Sequence, residues 1–335
     1  ADTRGGTASN GPAAVRCVYI QDGCILSGFT LTNGYTLAVG DKNGGGAYGP
    51  TADSLLTNCV VTACQAAGQG GGVYVCTVSR CTVSNNAADQ GGGVAVCALV
   101  KDSLIVANRA ATGGGGVYGG LTIDSRIINN FTPWDGGGGL SAIFSNCVIA
   151  GNTGNSYGGA MNSSQAYSCR VLDNTAGVGG AAQAGFLRNC LISKNHGSYI
   201  LRDSTMQNCT IVSNYSIAIY MSCSGYNNII FGNTPCDIGS YPCQYTFSYC
   251  CIGNSQAGAL LVGDHNVTND PLFVDTLVDN YRLSSPRSPC FNTGQNQVWT
   301  TNAVDMDGKP RIRHEVVDMG AYELWVKAGT FFRAK

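Results

Sequence analysis

Strings of one pattern recur along this chain: NCVIAGN at 146–152, SCRVLDN at 168–174, NCLISKN at 189–195 and NCTIVSN at 208–214. They set Cys147, Cys169, Cys190 and Cys209 at near-regular spacing, each five residues before an asparagine. Thiolates repeated in this way could bind a soft metal or exchange disulfides. Ser103, Ser125 and Asn228 fill the same column, however, and a metal-ligand position would not tolerate them. The chain has no CxxC and no Cys/His cluster at zinc spacing. The reading that fits is an inert internal column of small side chains. Cys76 and Cys97 form a second, shorter column of the same kind.

Carboxylates are the other candidates for chemistry. Asp102 and Asp124 stand one place before the cysteine column in successive repeats; Arg80 precedes them, and Arg126 and Arg170 lie one place after the column. Acids and arginines on one face suit a polysaccharide lyase, where the acids hold calcium and the arginine is a base or charge clamp. A catalytic alternative would therefore use Asp102, Asp124 and Arg126. The rest of their column is Asn58, Asn146, Ser168, Asn189, Asn208 and Asn227, polar and uncharged, which favours a solvated ion-pair face. Nine of the twenty acids fall between 264 and 323, including Asp305, Asp307, Asp318 and Glu323. They sit in Gly/Pro-rich turns, where Asp caps backbone N–H groups, so their role is expected to be structural. Calcium is the one ion they could take; no other cofactor is expected. His196, His265 and His314 are far apart and form no triad pattern.

A sequence period positions all of these residues. With Cys147 as anchor, equivalent places run from Gly28 through Cys59 and Cys81 to Cys250, at intervals of 19–22 residues after a first interval of 31. Five residues further on come Asn33, Asn86, Asn108, Asn130, Asn152, Asn174, Asn195, Asn214 and Asn233, with Cys64 in one repeat. Glycine runs such as GGG at 44–46, 70–72 and 91–93 recur about ten residues before the anchor. A period near 22 residues indicates a solenoid. Short alternating β-branched segments, with no sustained helical period, predict a right-handed parallel β-helix of about eleven coils. Parallel strands stacked at about 4.8 Å give a rod roughly 50 Å long. In that stack Asn108, Asn130, Asn152 and Asn174 form an amide ladder beside the cysteines.

Composition narrows the function. Charged residues are 12% of the 335, and the net charge is −1, which excludes a field able to neutralise nucleic-acid phosphates or anionic membranes. No apolar run approaches membrane-span length. Seventeen cysteines leave at least one unpaired within the chain. Cys236 and Cys243 bracket TPCDIGSYPC, a loop that breaks the repeat and holds two prolines, and are the leading disulfide candidate, followed by Cys17 with Cys24. Tyr48, Tyr74 and Tyr118 follow the glycine runs, and the flanking Val73 and Val75 point Tyr74 outward. Such a row could stack on sugars or on a neighbouring rod.

The GGAM string at Gly158–Met161 and the IAGN string at 149–152 resemble the repeats of polymorphic outer-membrane proteins. The C-terminal strings DPLFVD (270–275), YRLSSPRSPC (281–290), DMDGKPRI (305–312) and VDMGAYE (317–323) are similar to the ends of bacterial secreted β-helix proteins that precede sorting anchors. This resemblance implies the fold and an extracellular or cell-surface bacterial setting, after removal of a leader, more than an activity. The expected organisation is a β-helix over 1–262 and an irregular capping segment over 263–335. Within the latter, LWVKAGTFFRAK alternates like a strand, so Leu324, Trp325, Val326, Phe331 and Phe332 are a candidate intersubunit strand. The expected function is a non-catalytic structural solenoid that stacks head to tail with its own copies. The alternative is a secreted protein that binds or cleaves polysaccharide.

Overall fold

The computed structural model describes residues 14–37, 40–240, 244–313 and 315–325. Its strands are two to five residues long, too short to be stable alone, and each gains partners only by stacking on its equivalents. Coil after coil, the chain visits the same sheets in turn. Val73–Tyr74 belongs to a ten-stranded sheet (sheet 1), Thr77–Ser79 to a twelve-stranded sheet (sheet 2) and Thr82–Ser84 to an eleven-stranded sheet (sheet 3). Ala87–Gln90 opens a five-stranded sheet (sheet 4) confined to the middle coils. All pairings within these sheets are parallel, and sheets 1 to 3 keep register throughout, as in Leu104↔Arg126, Ile105↔Ile127 and Val106↔Ile128, while sheet 4 shifts register after Ala88 and after Gly154. The protein is a parallel β-solenoid.

Strand centres point inward and form continuous columns. Val61, Val83, Ile105, Ile127, Ile149, Val171, Ile192, Ile211 and Ile230 are all fully buried, one per coil. Their neighbours on either side face out, the alternation that a period of two requires. Between sheets the chain turns on a single left-handed residue. At the corner from sheet 2 to sheet 3 these are Arg80, Asp102, Asp124 and Asn146, with φ of 50°, 49°, 51° and 51°. At the corner after sheet 3 they are Asn85, Ala107, Asn129 and Gly151. Asn, Asp and Gly are enriched at these places because the left-handed region costs them least.

The first coil departs from the expected alignment. Thr30 pairs with Val60, so Phe29 rather than Gly28 stands opposite Cys59, and Gly34 rather than Asn33 opposite Cys64. Gly28 and Asn33 are corner residues, with φ of 80° and 55°. Residue type misled the spacing because glycine and asparagine suit both the corner and the place after it. At the far end the parallel pairing continues past residue 262, through the bridge Cys251↔Val267.

Inside the corner after sheet 3 runs the asparagine column. Asn130 is typical: its backbone N–H and its Nδ2 both donate to Asn152 Oδ1, at 2.9 and 3.0 Å, while Nδ2 also donates to Ile105 O at 3.0 Å. The same set of bonds repeats from Asn86 to Asn233. Every side-chain amide donates forward, so the column has a direction, and its last member needs an acceptor with nothing further to give. Asp237 supplies it: Oδ1 accepts from Asn233 N and Nδ2 at 3.0 and 2.7 Å, and Oδ2 accepts from Asn254 N at 2.8 Å. The glycine runs pack against this column. A Cβ on Gly93 would lie 2.9 Å from Asn108 Nδ2, and one on Gly116 at the same distance from Asn130 Nδ2.

The C-terminal segment lies along the flank of the last coils rather than over the end. Its hairpin, Phe273–Asp275 with Asn280–Leu283, packs Tyr281 against Leu191 and Val212 on the outer side of sheet 3. Leu283, Cys290 and Met319 cover Ile229 and Cys251 beside them. Among the described residues no helix is long and apolar enough to cross a membrane.

Replacing Asn152 by Ala leaves two buried donors of Asn130 without their acceptor, which costs about 3 kcal/mol. Asn152→Asp is expected to cost more, because it places a carboxylate against Asn174 Oδ1 and gives Ile127 O no donor. Urea unfolding of the two variants and the wild type checks both the size and the order.

Candidate functional site

Arg80, Asp102, Asp124 and Arg126 line a shallow outer groove with Thr82 and Leu104. Three of the four are corner residues; Arg126 opens the strand Arg126–Ile128 and is exposed. Arg80 donates through Nε to Asn58 Oδ1 at 3.1 Å, and Asn146 Nδ2 donates to Asp124 Oδ1 at 2.8 Å. Among the described residues neither aspartate forms an ion pair with either arginine. The acids are therefore accounted for by backbone geometry, as are the asparagines that stack on them. No group of three or more His, Cys, Asp or Glu among the described residues is arranged to hold a metal ion.

The cysteine column lines the inside of the same corner. Cys147, Cys169, Cys190 and Cys209 are buried. Cys147 N–H donates to Cys169 Sγ and Cys169 N–H to Cys190 Sγ, both at 3.4 Å, while each of these thiols donates to the carbonyl two residues before it, at 3.2 Å. Serine does the same job with tighter bonds: Cys81 N–H meets Ser103 Oγ at 3.1 Å and Ser103 N–H meets Ser125 Oγ at 3.0 Å. A small side chain that both accepts and donates is what this position needs, which explains why Cys, Ser and Asn alternate there. Burial pushes the Cys81 thiol up to about 11 and Cys250 to about 12, and raises Cys190 well above the ordinary range. Where burial holds a thiol protonated it is a poor nucleophile and a poor metal ligand; at Cys169 burial is outweighed by the neighbouring Cys147 and Cys190 thiols, which lower it. Cys76 and Cys97 are buried in the corner between sheets 1 and 2, where burial likewise raises both.

The expected disulfides fare differently. Cys236 is buried, and its candidate partner Cys243 lies outside the described residues. Cys17 and Cys24 are not joined: Cys24 is an exposed thiol, and Cys17 Sγ lies 3.9 Å from Cys64 Sγ. Tyr48 and Tyr74 stack with ring centroids 5.4 Å apart, and Tyr19, which the glycine spacing does not reveal, extends the row at 5.3 Å. Tyr118 stands apart from it, because Ala95 occupies the intervening rung. The rings lie against each other and turn their edges outward, with the Arg16 guanidinium 4.6 Å from the Tyr48 centroid. Leu324 and Trp325 contact their own chain: Leu324 N–H donates to Asp318 Oδ2 at 2.7 Å, and Arg313 lies over the Trp325 ring at 4.1 Å. Val326, Phe331 and Phe332 lie outside the described residues.

The densest charge cluster is in the C-terminal segment. Arg311 is fully buried, with Glu323 Oε1 at 3.2 Å, Asn189 Oδ1 at 3.0 Å and Gly320 O at 2.8 Å. Asp305 accepts from the backbone N–H groups of Asp307, Lys309 and Glu323, each at 2.8 Å. Asp318 accepts from Asn292 N and Leu324 N, at 2.7 Å each. The strings DMDGKPRI and VDMGAYE are thereby tied into one knot. It is fastened to the coils by the corner asparagines: Asn189 Nδ2 donates to Val304 O, Asn208 Nδ2 to Asp318 O and Asn227 Nδ2 to Gln295 O. Burial pushes the Glu323 carboxyl from 4.5 up to about 8, only partly offset by Arg311, and Asp318 from 3.8 up to about 6.

One structural role was not legible in the sequence, and one legible motif is not a site. Nothing in the sequence marks Asp237 as the end of the asparagine column, since it lies in a loop outside the repeat. Gly154–Gly158 reads GNSYG, the spacing of a serine nucleophile turn, yet it runs along the strand Thr153–Tyr157 instead of a strand-to-helix elbow.

No family model and no curated protein sequence matches the chain. Among solved structures, the crystal structure of pectate lyase Pel9A is similar over 90% of this chain and 98% of that one, at 13% identity and a TM-score of 0.41. A likeness at that level transfers neither a residue role nor a substrate to this chain.

Cys147→Ser is expected to fold and to lose less than about 1.5 kcal/mol, because serine supplies the same acceptor and donor. Cys147→Val, of similar bulk but with neither group, is expected to lose more; chemical unfolding ranks the two.

Glu323 gives a second expectation. The folded state holds its proton up to about pH 8, whereas the unfolded chain releases it near 4.5. The unfolded state thus binds fewer protons in between, and stability falls as pH rises through that window. Asp318 acts in the same direction below about 6. Melting temperature is expected to drop by several degrees from pH 5 to pH 8, and Glu323→Gln should flatten the slope.

Proposed function

We propose that this chain is a structural β-solenoid, displayed outside a bacterial cell, which joins end to end with copies of itself and carries no catalytic centre. The observation that carries the reading is strand Leu260–Val262. Among the described residues it is the last strand of sheet 2, and its three apolar residues are 52%, 39% and 42% exposed. Strand edges are templates for another chain, and soluble proteins usually blunt them with Lys, Pro or a bulge; this strand has none of these. Sheet 2 begins with Ile25–Ser27, where Ile25 is also exposed. A second copy stacked in line would set its Ile25–Ser27 beside Leu260–Val262 and continue the parallel sheet. That contact uses unlike surfaces and does not close, so it builds open filaments.

Other features support this reading. Low charge leaves little to keep rods apart. The corner acids are explained by backbone conformation, and the buried thiols by hydrogen bonding, so neither requires a catalytic role. The resemblance of the repeats and tail to bacterial secreted β-helices supports the extracellular setting.

Sedimentation velocity and electron microscopy over a concentration series test the proposal. The wild type is expected to form rods that lengthen with concentration. Leu261→Lys, which places a charge over the open end of the core, is expected to remain monomeric with an unchanged melting curve. A wild type that stays monomeric at every concentration would overturn the reading, as would release of unsaturated product from an anionic polysaccharide by the purified chain.

A further inference from the structure

The asparagine column begins at an unusual place. Cys64 stands where the ladder would have another asparagine, and its backbone N–H donates to Asn86 Oδ1 at 2.9 Å. One coil earlier the same position is Gly34, which has no side chain. The space that a side chain there would need is filled from the sheet 1 side: a Cβ on Gly34 would lie 2.7 Å from Cys17 Sγ and 2.9 Å from Cys17 N. Cys17 thus substitutes for the missing rung, and its sulfur rests 3.9 Å from Cys64 Sγ, with 47 residues between them in sequence.

We propose that Cys17 and Cys64 are an oxidisable pair whose disulfide clasps the first coil of the solenoid to the second. Sulfurs at this separation need to close by roughly 2 Å to bond, a movement within reach of rotation about the two side chains. The two thiols are unlike in the way that exchange requires. Cys17 is half-buried, and the Cys64 thiol beside it lowers its pKa below the ordinary value; Cys64 is buried, and the same contact with desolvation raises its own. Cys17 is therefore the attacking thiolate, and Cys64 completes the bond from inside. Its chemistry uses a small-molecule disulfide as oxidant. Cys17 attacks one sulfur of that disulfide, forms a mixed disulfide and expels a thiolate. Cys64 gives up its proton and attacks the Cys17 sulfur, forming the Cys17–Cys64 bond and expelling the second thiolate. Two electrons pass from the cysteine pair to the oxidant, which leaves as two thiols.

Among the described residues the coil that contains Cys17 pairs with a neighbour on one side only, and a coil with one neighbour frays more readily than one with two. A clasp here restrains the unfolded chain and holds Ile25–Ser27 in place. Cys24 provides the internal control, since it is exposed and its sulfur has no such neighbour in the structure.

Equilibration of the folded protein with oxidised and reduced glutathione, followed by alkylation, non-reducing digestion and mass spectrometry, tests the pair. The expected product is a peptide linking Cys17 to Cys64, with Cys24 present as a thiol or a glutathione adduct. Hydrogen exchange over residues 17–34 should slow about tenfold in the oxidised form. In Cys64→Ala, Cys17 is expected to stop at the glutathione adduct, and a Cys24→Ala chain should still form the link. Recovery of Cys64 as an unmodified thiol in the oxidised wild type, or of Cys17 linked to Cys24, would overturn the proposal.

Discussion

In-register stacking of amides is the constraint on which this molecule depends. Each asparagine of the ladder satisfies a backbone N–H in the preceding coil, binds a carbonyl there and passes a bond to the next coil. Buried corners would otherwise leave backbone groups unpaired, at a cost of the order of 1–3 kcal/mol each. Since every rung makes several bonds in water's absence, the period of the chain cannot drift without breaking many at once. The shorter coils of 21 and 19 residues keep the same ladder bonds, so length is lost elsewhere in the coil. The glycine runs belong to the same device. They lie against the amide nitrogens at distances that exclude a Cβ, so the glycine and asparagine signatures are two sides of one contact.

That explains how much of the fold was legible. Period, parallel stacking and the buried cysteine and valine columns all follow from residues that recur at one structural place. Function was harder to read because left-handed corners select for the same residue types as catalysis does. Asp102 and Asp124 are aspartates for the reason that Asn146 is an asparagine, namely a φ near 50°. The first coil was misplaced by one residue for a related reason: Gly28 and Asn33 fit a corner as well as they fit a rung. Asp237 and Arg311 were invisible as partners because each is specified by a contact across the fold, with Asn233 and Asn189 respectively.

The C-terminal segment extends the same logic to a non-repeating chain. Corner asparagines, which bond in earlier coils to neighbouring corner residues, as Asn58 does to Arg80 and Asn146 to Asp124, turn to the backbone of the tail at Asn189, Asn208 and Asn227. A column selected for left-handed geometry thus doubles as a docking rail. The Arg311 knot gives the tail a shape of its own, but one that leaves three carboxyls near one buried cation. Burial then favours keeping a proton on Glu323. The pH response of the protein should therefore reside in its tail, since the repeats are almost free of buried charge.

A directional ladder must also end differently at its two ends, and this bears on how copies could meet. At the C-terminal end Asp237 accepts from Asn233 and spends its other oxygen on Asn254, so no donor projects toward a following molecule. At the N-terminal end the first rung is a thiol packed on another thiol. Among the described residues neither end of the ladder offers a free amide, so the ladder would not run through a junction between copies. The last strand of sheet 3, Cys251–Ile252, is paired onward through the bridge Cys251↔Val267. Of sheets 2 and 3, sheet 2 is the one whose last strand is left exposed, so a filament of this chain would be continuous in that sheet and interrupted at its amide core. Such a junction rests on short strands and a few apolar side chains, without the cooperative polar column that holds each coil to the next. A junction of that kind would be weaker than the contacts that hold one coil to the next within each copy.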